Sequence, residues 1–560
     1  MEIKMIKTRI VSSLEKAFID GDIESFDELK SISALKGERL SFQLLYTSLD
    51  TNGSKIWFRD PSKYTLFGSL APYATVRAVN NVPVTRPLYD TWDDQYLRYD
   101  SGLYPDLLFP IARDEGICVC KGKLLSLWIE VNIPEDFTVI GKNDIGIRIA
   151  SSETVEVLEN TLEVEVINAV MPKHDIKFTQ WFYTDCLANY YDVPVWSEKH
   201  WRIIENFAKV AVKNGINMLL TPTFTPALDT YVGGERLTTQ LVKVTKKGER
   251  YYFGFKLLDR WIDMCDRVGI KYLEIAHFFT QWGAKHAPKV MATVDGEYKK
   301  IFGWETDALS DEYKSFLRAF VKAFLNHMKK RGDDKRCYFH ISDEPKLTKI
   351  EQYKAAKDIV GDLLKDYTIM DALSSYEFWE RGICDLPIPA TNHIEPFLEG
   401  NVPGLWTYYC CGQCVNVSNR FIAMPSWRTR SIGMQMYKFD IAGFLQWGYN
   451  YYNNFRSTAT VDPYGDTSAG YWAPSGDAFS VYPAHNGEAL ESLRIIVFYE
   501  ALQDMMIMKE CEKYYSKEII VKTIEEVLGA ELRFDRCALS AREILTIREK
   551  LNQMLKEKIS

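Results

Sequence analysis

The spacing of apolar residues changes character near residue 175. Before it, apolar and polar positions alternate in LSFQLLYTSL (40–49), TVRAVNNVPV (75–84), GKLLSLWIEVNIP (122–134) and NTLEVEVINAVMP (160–172), with Gly, Pro, Asn and Asp turns between them. Period-two runs broken by turn residues predict a β-sandwich. After it, short β-branched and aromatic runs alternate with segments of 3.6-residue period. Eight strands are predicted at 177–185, 216–222, 270–278, 336–344, 367–374, 383–390, 404–410 and 443–449. Helices are predicted at 198–213, 254–268, 311–330, 349–365, 427–441 and 487–511. Gly215 and Gly269 stand where a helix should stop before the next strand. Eightfold strand–helix alternation predicts an α/β fold, a (β/α)8 TIM barrel. A doubly wound open sheet is the alternative, but no G-x-G-x-x-G or Walker loop supports a nucleotide-binding version. The expected domains are a sandwich over 1–172, a barrel over 173–512 and a C-terminal helical tail over 513–560. The tail reads as a surface helix on the barrel.

Barrel active sites lie at the C-terminal ends of the strands, which turns scattered residues into a candidate site. The connections 223–253 and 279–310 are long for a compact domain, as functional or mobile loops are. Asp295-Gly296 predicts a hairpin turn in the second. The strongest local signal is HISDEP (340–345) at the end of the fourth strand. Pro345 biases Glu344 toward an extended backbone, so Asp343 and Glu344 form a fixed pair of adjacent carboxylates. Two close, partly buried carboxylates raise each other's proton affinity, the condition for a general acid near neutral pH. The plainer alternative is a helix N-terminal cap, since carboxylates favour that position. Placement at a strand end favours catalysis.

Aromatic residues make up 13% of the chain, with 14 Trp, 32 Tyr and 29 Phe. They recur at the predicted strand ends. The first offers Trp181, Tyr183 and Asp185, and the third His277 with Gln281 and Trp282 after it. The seventh offers Trp406 and Tyr408, and the eighth Trp447, Tyr449 and Asn450. Each alone fits a core position; together around paired carboxylates they suit a sugar subsite. Of these, His277, Trp282, Trp406, Tyr408, Trp447, Tyr449, Asn450, Tyr183 and Asp185 are the substrate-binding candidates. His340, alternating with Ser342, reads as a buried and satisfied side chain. No His/Asp/Glu spacing marks a metal and no G-x-S-x-G elbow a serine nucleophile, so neither metal nor cofactor is expected. The charge sum of 68 basic and 76 acidic residues is −8, which disfavours nucleic acid or an anionic membrane as partner. No apolar signal-peptide core and no membrane span is visible, so a cytoplasmic location is expected. The eleven cysteines read as free thiols; Cys410, Cys411 and Cys414 lack the second ligand pair of a zinc site.

HISDEP, APKVMATVDGEYKKIFGWET (287–306), SNRFIAMPSWRTRSIGMQMYKFDIAGFLQWGYNYY (418–452) and GDAFSVYP (476–483) together resemble glycoside hydrolase family 123 and its relatives carrying the uncharacterised domain numbered 4091. The resemblance covers the barrel and its C-terminal part. It implies β-N-acetylgalactosaminidase activity on an oligosaccharide or glycoconjugate by retaining, substrate-assisted catalysis. By that carry-over Glu344 protonates the leaving oxygen and later activates water, while Asp343 orients the substrate's 2-acetamido group, whose oxygen is the nucleophile. Many other retaining barrel glycosidases are similar to one another in having Asn-Glu ending strand four and a nucleophilic Glu ending strand seven; here strand seven, GLWTYYCC, has no carboxylate. An enzyme-borne nucleophile would have to be Asp371 or Glu395. A carbohydrate-binding barrel without turnover is the remaining alternative.

Overall fold

In the computed structural model the period-two runs become two sheets. The model describes residues 6–48, 54–57, 66–111, 117–119, 122–151 and 157–559. Residues 1–5 of the N-terminal stretch inspected for a signal peptide, Leu49 of the first strand candidate and Ser560 of the tail lie outside the described residues. One sheet orders Ile6–Ser12, Arg39–Ser48, Leu125–Asn132, Ala74–Val84 and Gly102–Pro110, all antiparallel. The other runs from Ser31–Lys36 through Val157–Val170 and Gly141–Ser151 to Ser54–Trp57 and Ile117–Val119. Alternation puts one side of each strand inside. Phe42 pairs with Ile129 and Leu44 with Leu127. These join Ile145, Ile147, Leu162 and Val164 of the second sheet in one buried cluster.

The second half forms the predicted barrel. Its strands are β1 (Lys177–Gln180), β2 (Met218–Thr221), β3 (Tyr272–Ile275), β4 (Cys337–Phe339), β5 (Thr368–Ala372), β6 (Leu386–Ile388), β7 (Trp406–Tyr408) and β8 (Gly443–Gln446). They pair in parallel in the order β6-β5-β4-β3-β2-β1-β8-β7. A parallel bridge between Ala390 and Tyr408 brings β6 and β7 together and nearly closes the cylinder. All eight strands fall inside their predicted runs, but each has only three to five residues. The residues beyond each strand belong to rim loops.

The helices Glu198–Lys213, Lys256–Val268 and Asp311–Arg331 match the periodic segments. Ser310 caps the third by accepting from the Tyr313 N–H, and Gly332 ends it at φ 79°, a left-handed turn that glycine adopts without strain. The segment expected as one helix over 349–365 breaks into Ile350–Asp358 and Gly361–Leu364. The two long connections are ordered rather than open. They form a four-stranded sheet of Lys243–Lys247, Arg250–Gly254, Val290–Val294 and Glu297–Phe302, with Asp295 and Gly296 at φ 51° and 88° in the predicted hairpin turn. Tyr251, Phe253 and Phe302 pack on Phe316 and Phe320 of helix Asp311–Arg331. At roughly 1.5–3 kcal/mol for each fully buried Phe, that seam is enough to hold the sheet on its helix.

By contact, one unit comprises residues 1–174, 414–439 and 490–560, and the other 175–413 and 440–489. Helices Ser426–Lys438 and Leu493–Cys511, which follow β7 and β8 in sequence, group with the sandwich. The tail is two helices, Lys517–Leu528 and Ala541–Ile559, and it bonds the helices that follow β7 and β8: Lys438 donates to Glu525 and Arg548 to Asp504. Its Arg548 bonds Glu38 and its Asn552 bonds Ser33, both on the sandwich. Among the described residues no helix is long and apolar enough to cross a membrane.

Candidate active site

The candidate residues lie after β1, β3, β4 and β8, with Trp406 and Tyr408 on β7 itself. Strand β4 stops at Phe339, and His340–Pro345 carries the paired carboxylates. The loop is tied down by its backbone. The Glu344 N–H donates to the Ala372 carbonyl (3.0 Å), and the Asp343 carbonyl accepts from the Trp282 N–H (2.7 Å). Glu344 is not extended, as Pro345 after it predicts, but sits at φ 40°, a left-handed conformation that is costly for a side-chain-bearing residue. Asp229, Trp282 and Ser457, on three other rim loops, have φ of 51°, 64° and 55°. Such strain persists where surrounding structure over-determines the backbone, and it concentrates at functional sites.

Tyr408, ending β7, donates its hydroxyl to Glu344 Oε1 at 2.6 Å. Burial, then the Glu344 charge, pushes the Tyr408 phenol well above its ordinary range, so it remains a donor. Burial raises the Asp343 carboxyl well above the usual carboxylate range, and the neighbouring charges of Glu344 and Asp229 raise it further.

Beneath the pair lies a buried polar core of Glu274, His277, His340 and Asp371. His340 is fully buried between two carboxylates, with Nε2 2.8 Å from Glu274 and Nδ1 3.0 Å from Asp371. Burial alone would lower its pKa; the two carboxylates outweigh that and raise it to about 10. Glu274 also accepts from Thr179 (2.5 Å) and Trp181 (2.7 Å), and Asp371 from Tyr353 (2.5 Å). His277 stacks on His340 at 4.1 Å, and burial followed by the His340 charge keeps it neutral. Ligand atoms of His277, His340 and Asp371 lie within 4.8 Å of one another, a grouping no linear spacing announces. Both His340 nitrogens are occupied by carboxylates, so as an imidazolium it has no lone pair for a metal. Its folded pKa lies above the unfolded value of about 6.5. The pairing therefore stabilises the fold fully below that value and is lost as pH rises through about 10. Urea titrations from pH 7 to 11 should show the midpoint falling toward pH 10, with a flatter profile in His340→Gln.

The other predicted side chains divide. Trp447 donates to Asp477 (3.0 Å) and meets the Tyr451 and Trp472 rings edge-on. Tyr183 donates to Asp229 (3.5 Å). Trp282 is exposed on its loop. Asn450 contributes as a clamp, bonding both the N–H (2.8 Å) and the carbonyl (3.1 Å) of Tyr183. Three candidates are taken up by contacts other than the carboxylate pair. Trp406 opens β7 at the opposite end of the strand, its ring where a Cβ on Gly443 would stand. Tyr449 points outward, bonding the Phe207 carbonyl (2.8 Å) and stacking on Phe182. Asp185 is buried in a two-pronged pair with Arg236, both contacts at 2.8 Å. Asp229 and Arg236, in the long loop after β2, are the site residues the sequence reading missed; their one signal was that loop's position over the strand ends. Nine of the cysteines, Cys410, Cys411 and Cys414 among them, are free thiols.

A barrel whose C-terminal rim holds an adjacent carboxylate pair among Trp and Tyr side chains defines a glycoside hydrolase. The chain belongs to glycoside hydrolase family 123, whose catalytic-domain model matches residues 181–511. A family 123 glycoside hydrolase from Clostridium perfringens, studied for glycolipid glycan hydrolysis, has the same fold. It is 16% identical, each chain covers 99% of the other, and the TM-score is 0.75. A β-glucuronidase from Parabacteroides merdae is 10% identical over 89% of this chain and 52% of its own, with a TM-score of 0.32. An endo-β-1,4-mannanase from Thermotoga petrophila is 13% identical over 60% and 77%, with a TM-score of 0.34. Comparison with the curated proteins finds no match.

Proposed function

We propose that the protein removes terminal β-linked N-acetylhexosamine, foremost N-acetyl-β-galactosaminide, from an oligosaccharide or glycoconjugate, with retention and with the substrate's own 2-acetamido oxygen as nucleophile. The observation that carries this is at β7. Where a second carboxylate would stand across from the Asp-Glu pair, Tyr408 is bonded to Glu344. Asp371, one alternative nucleophile, is fully buried and accepts from His340, Tyr353 and the Ile341 N–H. Glu395 opens the short helix Glu395–Glu399 after β6. The family membership and the glycolipid glycans of the Clostridium perfringens relative support a glycoconjugate substrate.

In this reading Glu344 gives its proton to the leaving oxygen as the acetamido oxygen attacks the anomeric carbon. Asp343 holds the amide N–H and offsets the positive charge of the oxazolinium. Water then attacks the same carbon, giving its proton to Glu344, and the amide is restored. Aryl β-GalNAc, β-GlcNAc and β-galactoside compared side by side test it. The acetamido sugars should be cleaved and the galactoside should lag far behind. Equal rates on the galactoside, or a covalent glycosyl-enzyme at Asp371 or Glu395, would overturn it.

A further inference from the structure

Four acidic side chains close to the barrel mouth differ sharply in how they are held. Asp185 takes two bonds from Arg236 at 2.8 Å. Asp371 takes donors from His340, Tyr353 and backbone N–H groups at 2.5–3.1 Å. Asp477 takes the Trp447 indole at 3.0 Å and the Gln446 amide at 3.1 Å. These are satisfied structural acids. Asp229 has the opposite arrangement: its backbone is pinned and its carboxylate is left open. Its N–H donates to Gln281 Oε1 (2.7 Å), and its carbonyl accepts from Ser457 (2.9 Å) and from Tyr451 (3.5 Å). Loops after β3 and β8 therefore fix a residue of the β2 loop at φ 51°. Its carboxylate has one long contact, from the Tyr183 hydroxyl at 3.5 Å, beyond the usual O–H···O range.

The neighbouring cation does not complete it. Both prongs of Arg236 are committed to Asp185 and its third nitrogen to the Leu228 carbonyl (3.2 Å). Glu344 and Asp343 are near enough for their charges to act on Asp229 or be acted on by it. A carboxylate offers about four acceptor sites, and among the described side chains only the Tyr183 hydroxyl approaches those of Asp229. A glycoside brings the matching chemistry, a ring bearing neighbouring O–H donors.

We infer that Asp229 is a substrate-binding and specificity-determining residue, whose carboxylate accepts hydrogen bonds from ring hydroxyls of the sugar seated at Asp343 and Glu344. The inference rests on the glycosidase reading above and assigns that site a third acid with a separate task. Burial pushes the Asp229 carboxyl to about 6, Glu344 adding to the rise while Arg236 and Tyr183 oppose it. Asp343 and Tyr451 are the other titratable groups facing it, and burial holds the Tyr451 phenol neutral. Substrate binding should therefore weaken as pH falls through about 6, as the acceptor is protonated.

The test is a mutant cycle. Wild type, Asp229→Asn and Asp229→Ala are assayed on an aryl β-GalNAc and on its 3-, 4- and 6-deoxy analogues. Asp229→Ala should lose about 10- to 100-fold in kcat/KM on the complete sugar, the range of one or two charge-assisted bonds. Most of the loss should fall in KM. At least one deoxy analogue should cost the wild type a similar factor and cost Asp229→Ala nothing further. The wild-type KM should rise below pH 6 and that of Asp229→Asn should not. Strictly additive losses on all three analogues overturn the inference, as does an unchanged KM with an altered pH profile of kcat, which would make Asp229 a partner of Glu344 alone. Should the wild type cleave no acetamido sugar, the glycosidase reading fails by itself. The same cycle is then read by calorimetric titration with free N-acetylgalactosamine and its deoxy forms, where coupling supports the role of Asp229, and additivity or no binding overturns it. Folding of the variant is checked by its own sign. A carboxyl raised in the folded state destabilises the protein increasingly as pH rises from the unfolded value of about 3.9 and fully above the folded value of about 6, so Asp229→Asn should melt higher than wild type at pH 7.5, with the gain vanishing below about pH 4.

Discussion

Glu344→Gln should lose about 10²- to 10⁴-fold in kcat/KM on a sugar-linked or alkyl β-N-acetylhexosaminide, the range of a removed general acid. The substitution is nearly isosteric. The glutamine carbonyl can still accept from Tyr408, which bonds Glu344 Oε1 at 2.6 Å, and the Ala372 carbonyl still accepts the backbone N–H. The fold and the mouth therefore remain, and what goes is the proton. That makes the loss depend on the leaving group. An alkoxide of high pKa cannot depart unprotonated, whereas a dinitrophenolate can. With the dinitrophenyl glycoside the first step should survive and the second, which needs Glu344 to take a proton from water, should become limiting. Azide needs no base and should restore turnover. A deficit of equal size on dinitrophenyl and alkyl substrates, with no rescue by azide, would remove Glu344 from proton transfer.

The barrel was legible because its evidence is redundant. Eight apolar runs, six helical periods and glycine stops such as Gly269, at φ 96°, agree with one another. The carboxylate pair was legible because the fold rule assigns the C-terminal rim and HISDEP lies at it. The errors arise where a strand was drawn too long. The sequence reading groups Trp406 with Tyr408 at the exit of β7; with β7 at Trp406–Tyr408, it stands at the entrance. Tyr449 lies three residues past the end of β8, where strict alternation has ceased, and the loop turns it toward Phe207. Asp185 was placed on a strand but falls in the helix Thr184–Tyr190, where Arg236, fifty-one positions away, claims it. Such pairings carry no local pattern. Asp229 and the stacked His277–His340 pair were invisible for the same reason: each is defined by loops that meet only when the barrel closes.

Asp343→Asn should lower kcat on acetamido substrates by about 10²- to 10³-fold, the usual cost of removing one group aimed at developing charge, with a smaller change in KM. Asparagine keeps an oxygen to accept the amide N–H, so the substrate can still be oriented. It lacks the negative charge that stabilises the oxazolinium, and that charge is needed only as the transition state is reached. The environment sharpens the effect. Burial and the charges of Glu344 and Asp229 hold the Asp343 carboxyl well above the ordinary range. The ionised form is thus already strained in the free enzyme, and a positive charge forming beside it relieves that strain. As pH falls, Asp343 takes up a proton and the charge is lost, so the acid limb of wild-type kcat/KM should lie above the usual carboxylate range; Asp343→Asn should lack that inflection. Substrates whose acetyl group carries one, two or three fluorines separate the roles. Each fluorine weakens the acetamido oxygen as a nucleophile, so wild-type rates should fall stepwise along the series. Rates indifferent to fluorination would show that this oxygen does not attack, and Asp343 would then be holding the amide for binding alone.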